Sequence, residues 1–119
     1  MTENDRLLWR RGNPFVLWER KVVAIPGLAL DAAVIPGKKG IVVVTEFDET
    51  TMPDQPNCYA FLVPHLERAV PIRLYRGDRL VRFLGCYTEQ GLLVLLGADD
   101  FLYYLDPNSM DVVDRRYYR

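Results

Sequence analysis

The stretch FLYYLDPNSMDVV, residues 101–113, places an apolar run on each side of a polar turn. The tetrapeptide DPNS at its centre favours a turn, because proline fixes φ and the other three side chains can bond the nearby backbone. The flanking runs are rich in aromatic and β-branched residues, which favour strands. The stretch therefore predicts a β-hairpin with buried arms and a polar tip.

Similar short runs, separated by Gly, Pro, Asp and Asn, occupy most of the chain. They include FVLW (15–18), KVVAI (21–25), LALDAAVI (28–35), GIVVVTEF (40–47) and GLLVLLGA (91–98). The run at 41–45 is β-branched throughout, and such residues lose χ1 freedom in a helix. Many short strands without a long helical pattern between them predict an all-β fold of antiparallel meanders.

The N-terminus departs from this pattern. Residues 2–11 (TENDRLLWRR) predict one short helix, in which Thr2 and Asp5 occupy capping positions. Gly12, Asn13 and Pro14 would end that helix.

Two parts of the chain resemble each other. GIVVVTEFD (40–48) aligns with GLLVLLGAD (91–99), and residues 59–72 align with 102–115 when one residue of slip is allowed. Each copy would be a four-stranded unit of roughly 40 residues, the size of one propeller blade. We therefore divide a single domain, 1–119, into a helix and strands (1–27), a first unit (28–75) and a second unit (76–119). A generic sandwich or barrel is the alternative.

The second unit resembles a blade of the quinoprotein-like β-propeller superfamily, in which the motif Y-x-L-D-P-x-x-G-x-x-x-W joins the third strand to the fourth. Tyr103, Leu105, Asp106 and Pro107 match the motif. Met110 stands where glycine is usual, and the closing strand has no tryptophan. The resemblance implies a structural hairpin. It implies no quinone cofactor, because two blades cannot close the ring that holds one.

Composition argues against several functions. The formal net charge of −1 gives no basic excess for nucleic acid. Arginines interleaved with aromatics at 68–83 leave single-stranded nucleic acid as a minor alternative to a protein interface. No stretch reaches the ~18 apolar residues of a membrane span. The N-terminus has no signal-peptide pattern, so we expect a cytoplasmic protein with Cys58 and Cys86 reduced.

Catalytic and cofactor motifs are missing from the sequence. His65 is the only histidine, which excludes a multi-histidine metal set. Ser109, the only serine, lies in the DPNS turn and lacks the G-x-S-x-G elbow. No glycine-rich phosphate loop is present. The sequence predicts no catalytic, cofactor-binding or metal-binding residues, and hence no enzyme. An enzyme or ligand-binding barrel whose site the sequence does not reveal is a minor alternative.

An acidic cluster surrounds the polar segment 49–57 of the first unit. In size, mild acidity and lack of catalytic motifs, the chain resembles small bacterial toxin-immunity proteins. That resemblance implies an inhibitor that occludes a cognate toxin, with complementary charge and a buried aromatic supplying rate and affinity. The alternative is a non-catalytic scaffold that self-associates through exposed sheet edges, as a homo-oligomer. The predicted partner-binding residues are Glu46, Asp48, Glu49, Asp54 and Tyr59.

Overall fold

A computed structural model describes residues 7–35, 37, 40–46, 59–64 and 69–118 of the chain. These residues form thirteen β-strands. The strands are β1 Leu7–Leu8, β2 Phe15–Trp18, β3 Lys21–Ala24, β4 Leu28–Val34, β5 Gly40–Glu46, β6 Ala60–Pro64, β7 Val70–Pro71, β8 Tyr75–Arg76, β9 Arg79–Leu80, β10 Phe83–Glu89, β11 Leu92–Gly97, β12 Phe101–Leu105 and β13 Val112–Tyr117.

The strands form three sheets and one small hairpin, all antiparallel. The N-terminal sheet has the order β1-β2-β3, the central sheet β4-β5-β6-β7 and the C-terminal sheet β10-β11-β12-β13. Along the chain, the β8–β9 hairpin lies between the central and the C-terminal sheet. The predicted unit boundary at 75/76 falls within β8. The all-β meander prediction is therefore confirmed. A closed barrel is wrong, because each sheet of the described residues keeps two free edge strands.

The predicted N-terminal helix is also wrong within the described residues; positions 2–6 of that prediction lie outside them. Leu7 pairs with Trp18, and Leu8 pairs with Leu17, in an antiparallel ladder. Leu7 packs against a buried apolar cluster that includes Trp18. A ten-residue helix is marginal in water, so this packing outweighs a weak capping signal.

The three sheets are stacked in chain order. We call the face of a sheet that is turned toward the preceding sheet its front face, and the opposite face its back face. Val16 and Trp18 of the N-terminal sheet pack on the front face of the central sheet, at Ile41, Val43 and Val63. Strand β5 is consequently buried on both sides, because Val42 and Val44 belong to the cluster shared with the C-terminal sheet.

The central sheet presents its back face to the front face of the C-terminal sheet. The shared cluster joins Val42, Val44 and Ala60 to Leu93 and Leu95. Close backbone contact is concentrated where β10 meets β4 and β5. Ile72, which follows β7, and Val81, which follows β9, belong to the same cluster. Both four-stranded sheets therefore contribute to one core.

A β-bulge in the first strand of each four-stranded sheet sets the correspondence between them. The pairing shifts between Ala29 and Asp31 in β4, and between Phe83 and Gly85 in β10. When the bulges are superposed, Val43 corresponds to Leu95 rather than to Val94, one residue away from the sequence alignment. Because side chains alternate across a strand, this shift decides which face each residue occupies.

With the bulges superposed, equivalent residues occupy equivalent faces. Val43 and Leu95 lie on front faces, as do Phe61 and Tyr103, which pair with them from the third strands. The central and C-terminal sheets thus follow one another head to tail. A duplicated blade-like unit remains a prediction.

The DPNS turn has the hydrogen bonds that its residues favour. The Asp106 carboxylate accepts from the backbone N–H of Asn108 (2.8 Å) and of Ser109 (3.1 Å). Met110 has φ +62°, a left-handed conformation that favours glycine. Met110 is the position at which the propeller motif has glycine.

Candidate interaction surface

The back face of the C-terminal sheet is apolar, and no described sheet packs on most of it; at Tyr87, Leu8 and Trp9 line the same cleft. Its residues follow from the pairing of Tyr87 with Val94 and of Val94 with Tyr104. Val94 is fully buried and Tyr104 is 7% exposed, although both face away from the shared core. Tyr87 remains 41% exposed. The face comprises Tyr87, Leu92, Val94, Leu96, Leu102 and Tyr104.

Charged side chains border this face on β13. Arg116 lies over the Tyr104 ring, 5.0 Å from its centroid, and donates from Nε to Asp114 at 2.8 Å. That hydrogen bond lowers the pKa of Asp114, so the pair is ionised at neutral pH. Partial burial raises the pKa of Tyr87, with Tyr104 and Glu89 adding to the effect, so its phenol stays neutral. An apolar centre with an ionic rim is typical of a protein interface.

The acidic residues predicted to bind a partner are only partly within the described residues. Asp48, Glu49 and Asp54 lie outside them, as do Cys58 and His65. Glu46 ends β5, and the Thr45 N–H donates to the Tyr59 carbonyl at 2.9 Å. The segment 47–58 therefore joins the end of β5 to the start of β6, which lie side by side at one end of the central sheet.

Tyr59 is held against the molecule. It packs on the core shared by the central and C-terminal sheets, and the Arg82 guanidinium lies 5.3 Å from its ring centroid. Its half-buried ring leaves less surface for a partner than a projecting aromatic side chain would.

A second polar cluster surrounds the loop between β11 and β12. Tyr103 donates its hydroxyl to Asp99 at 2.5 Å, and Arg76 lies 3.6 Å from the same carboxylate. Burial, followed by the Asp99 hydrogen bond, raises the pKa of Tyr103 to about 12. Arg76 and Arg115 both lie near the Phe101 ring, at 4.4 and 5.0 Å. These contacts engage two of the arginines within the protein.

The remaining polar features give no catalytic arrangement among the described residues. Cys86 is a buried free thiol, and burial, followed by the negative charge of Asp31, raises its pKa well above the usual value. A thiol of that kind is a poor nucleophile. An open groove of about 930 Å³ between β3 and β6–β7 is lined mainly by apolar residues, and Lys21 also lines it.

Metal and membrane motifs give the same result for the part of the chain that is described. There, no three His, Cys, Asp or Glu side chains come together to hold a metal ion. No helix in that part is long and apolar enough to cross a membrane.

Sequence reasoning missed the back face, although its signal was present. The alternation in β12 puts Leu102 and Tyr104 on one face and Phe101, Tyr103 and Leu105 on the other, so both faces are apolar. A strand that is apolar on both faces is typical of a sheet covered on both sides.

Comparison with known proteins gives no identification: no family model matches the chain, and no curated protein is similar to it.

Proposed function

We propose that this protein is a non-catalytic binding module that acts by contact with a sheet face of another polypeptide. The observation that supports the proposal is the open back face of the C-terminal sheet. The equivalent face of the central sheet, with Val42 and Val44, is fully covered by its neighbour. An apolar face with a charged rim that lacks such a neighbour is the kind of surface that takes a protein partner.

Site-specific photo-crosslinking tests this proposal. A photoreactive residue replaces Tyr87 on the back face, or Tyr75 on the β8–β9 hairpin as the matched control; both are exposed tyrosines. We expect one discrete crosslinked polypeptide from position 87 after irradiation in the source cells, and none from position 75. The same adduct from both positions, or none from position 87, would overturn the proposal.

A second candidate is the immunity-type inhibitor, in which the acidic segment meets a basic cleft of a toxin. The observation that favours it is the hydrogen bond between Thr45 and Tyr59, because it holds the two ends of the segment side by side at one end of the central sheet. A loop fixed at both ends loses less conformational entropy on binding than a free tail.

Charge removal tests the inhibitor. The acidic side chains Glu46, Asp48, Glu49 and Asp54 are exchanged for their amides, and Glu3→Gln, Asp5→Asn, Asp78→Asn and Asp111→Asn provide the control with the same number of charges removed. The inhibitor predicts one dominant co-purifying partner near equal stoichiometry, lost from the loop variant and retained by the control. Equal recovery with both variants would contradict it. Association should also slow with salt, because complementary charge accelerates encounter.

A further inference from the structure

The open back face has a complementary surface on the same chain. The two apolar clusters of the described residues each place one sheet on the front face of the next. By the same pattern, an apolar face of another sheet would cover the back face of the C-terminal sheet. Among the described sheets, the front faces of the central and C-terminal sheets are already occupied, and the outer face of the N-terminal sheet is not.

The outer face of the N-terminal sheet is apolar. Val16 and Trp18 point into the core, so the alternating residues Phe15 and Leu17 point outward. Leu8 and Val22 pair with Leu17 from its two sides and share its face. Leu8 is 58% exposed and Val22 is 69% exposed, which is unusual for aliphatic side chains on one contiguous face.

The two faces belong to parts of the chain with opposite charge. Residues 7–25 carry four basic side chains and one acidic one, a formal charge of +3. Residues 83–118 carry six acidic and two basic side chains, a formal charge of −4. Opposite charges attract two copies in this orientation and oppose contact between two C-terminal sheets.

We propose that the protein self-associates head to tail, with the outer face of the N-terminal sheet of one copy seated on the back face of the C-terminal sheet of another. This inference rests on the proposed function and names its partner as a second copy. The contact is heterologous, so the copies close into a ring or extend the stack. It extends the sheet stacking that the chain already uses twice internally.

Two single substitutions test the interface, one on each face. Val22→Asp places a charge on the N-terminal outer face, and Tyr87→Asp places one on the C-terminal back face. Tyr75→Asp is the matched control on the β8–β9 hairpin. All three positions are well exposed, so the fold should persist, and circular dichroism verifies this. We expect wild type and the control to associate in sedimentation velocity, with each face variant weakened by about 30-fold or more, as for a central interface contact.

Mixing the two face variants separates head-to-tail contact from a symmetric one. The Val22→Asp chain keeps an intact back face, and the Tyr87→Asp chain keeps an intact outer face. A head-to-tail interface therefore predicts that the mixture forms a 1:1 heterodimer that grows no further. Monomeric wild type at all accessible concentrations, or a mixture that stays monomeric, would overturn the inference. A monomer that still gives a crosslink from position 87 would leave the proposed function standing with another partner.

Discussion

Individual glycines carry part of the sheet geometry. A Cβ on Gly40 would lie 2.2 Å from the Val63 carbonyl oxygen, and its φ is +149°. Because that oxygen belongs to the neighbouring strand β6, the contact cannot be relieved by rotating a side chain. We expect Gly40→Ala to lower the free energy of unfolding by about 3 kcal/mol, measured by urea denaturation. Gly12→Ala is the control, since Gly12 has φ +89° with open space around it, and should cost about 1 kcal/mol. Equal losses would contradict the steric argument.

The Tyr103–Asp99 hydrogen bond makes stability depend on pH in the alkaline range. The folded pKa of Tyr103 is about 12, above its ordinary value of 10, so the folded state holds the phenolic proton more tightly. The resulting stabilisation is complete below pH 10 and is lost as the pH rises toward 12. Unfolding curves recorded across this range should show the loss in wild type and a smaller loss in Tyr103→Phe. Identical slopes for the two proteins would rule out this residue as the cause.

Some residue properties were readable from the sequence, and others were not. The DPNS turn could be predicted, because its side chains form hydrogen bonds with their own backbone. The left-handed Met110 was visible as a departure from the propeller motif, but its conformation came only with the structure. The local sequence does not predict the contact between the Tyr59 ring and Arg82, since 23 positions separate the two residues in the chain.

At the scale of the element, Asp31 links two sheets across their closest approach. Its carboxylate accepts from the backbone N–H of Cys86 at 2.9 Å and of Ala32 at 2.9 Å. A Cβ on Gly85 would lie 3.1 Å from that carboxylate, so glycine leaves room for it. We expect Asp31→Ala to lower the free energy of unfolding by about 2 kcal/mol, because the Cys86 N–H loses its partner.

The amide variant separates the hydrogen bond from the charge. Asp31→Asn keeps an acceptor oxygen and should retain more than half of the lost stability in the same denaturation experiment. An Asp31→Ala protein as stable as wild type would show that the sheets need no polar link.

Strand positions were largely predictable, whereas their registration was not. The β-branched run of β5 has a strong local preference, and its predicted span of 40–47 closely matches Gly40–Glu46. A bulge adds one residue without changing composition, so the shift at Leu30 and Leu84 is invisible in the sequence, and the alignment was displaced by one. The N-terminal helix failed for a different reason: a weak local signal was overruled by the packing of Leu7 on another sheet.

For the whole molecule, the stacking order predicts a gradient of protection. Strand β5 lies in the central sheet with both faces covered, whereas most residues of β13, at an edge, are exposed. Backbone amides at 41–45 should therefore exchange with solvent only on global unfolding, and those at 113–117 by local opening. Hydrogen exchange followed by NMR measures both segments in one sample. Equal protection of the two strands would contradict a core centred on the central sheet.

The candidate surfaces show where sequence stops being informative about the whole molecule. A cluster of acidic residues can be recognised from the sequence alone, without knowing the fold. The back face needed the pairing of three strands to bring Tyr87, Val94 and Tyr104 together. Its openness depends on what else in the molecule covers it, a property of the assembled stack.

Because each sheet contacts its neighbours along the chain, the stack also has a direction during synthesis. The ribosome delivers residues 7–71, with the N-terminal and central sheets, before the C-terminal sheet emerges. Until then the valines at 42 and 44 have no cover. While the C-terminal sheet is still inside the ribosomal exit tunnel, this apolar surface of the nascent chain stays exposed, and synonymous codons in the last part of the message would set for how long. Slow codons there should increase chaperone engagement and lower the soluble yield without changing a single amino acid.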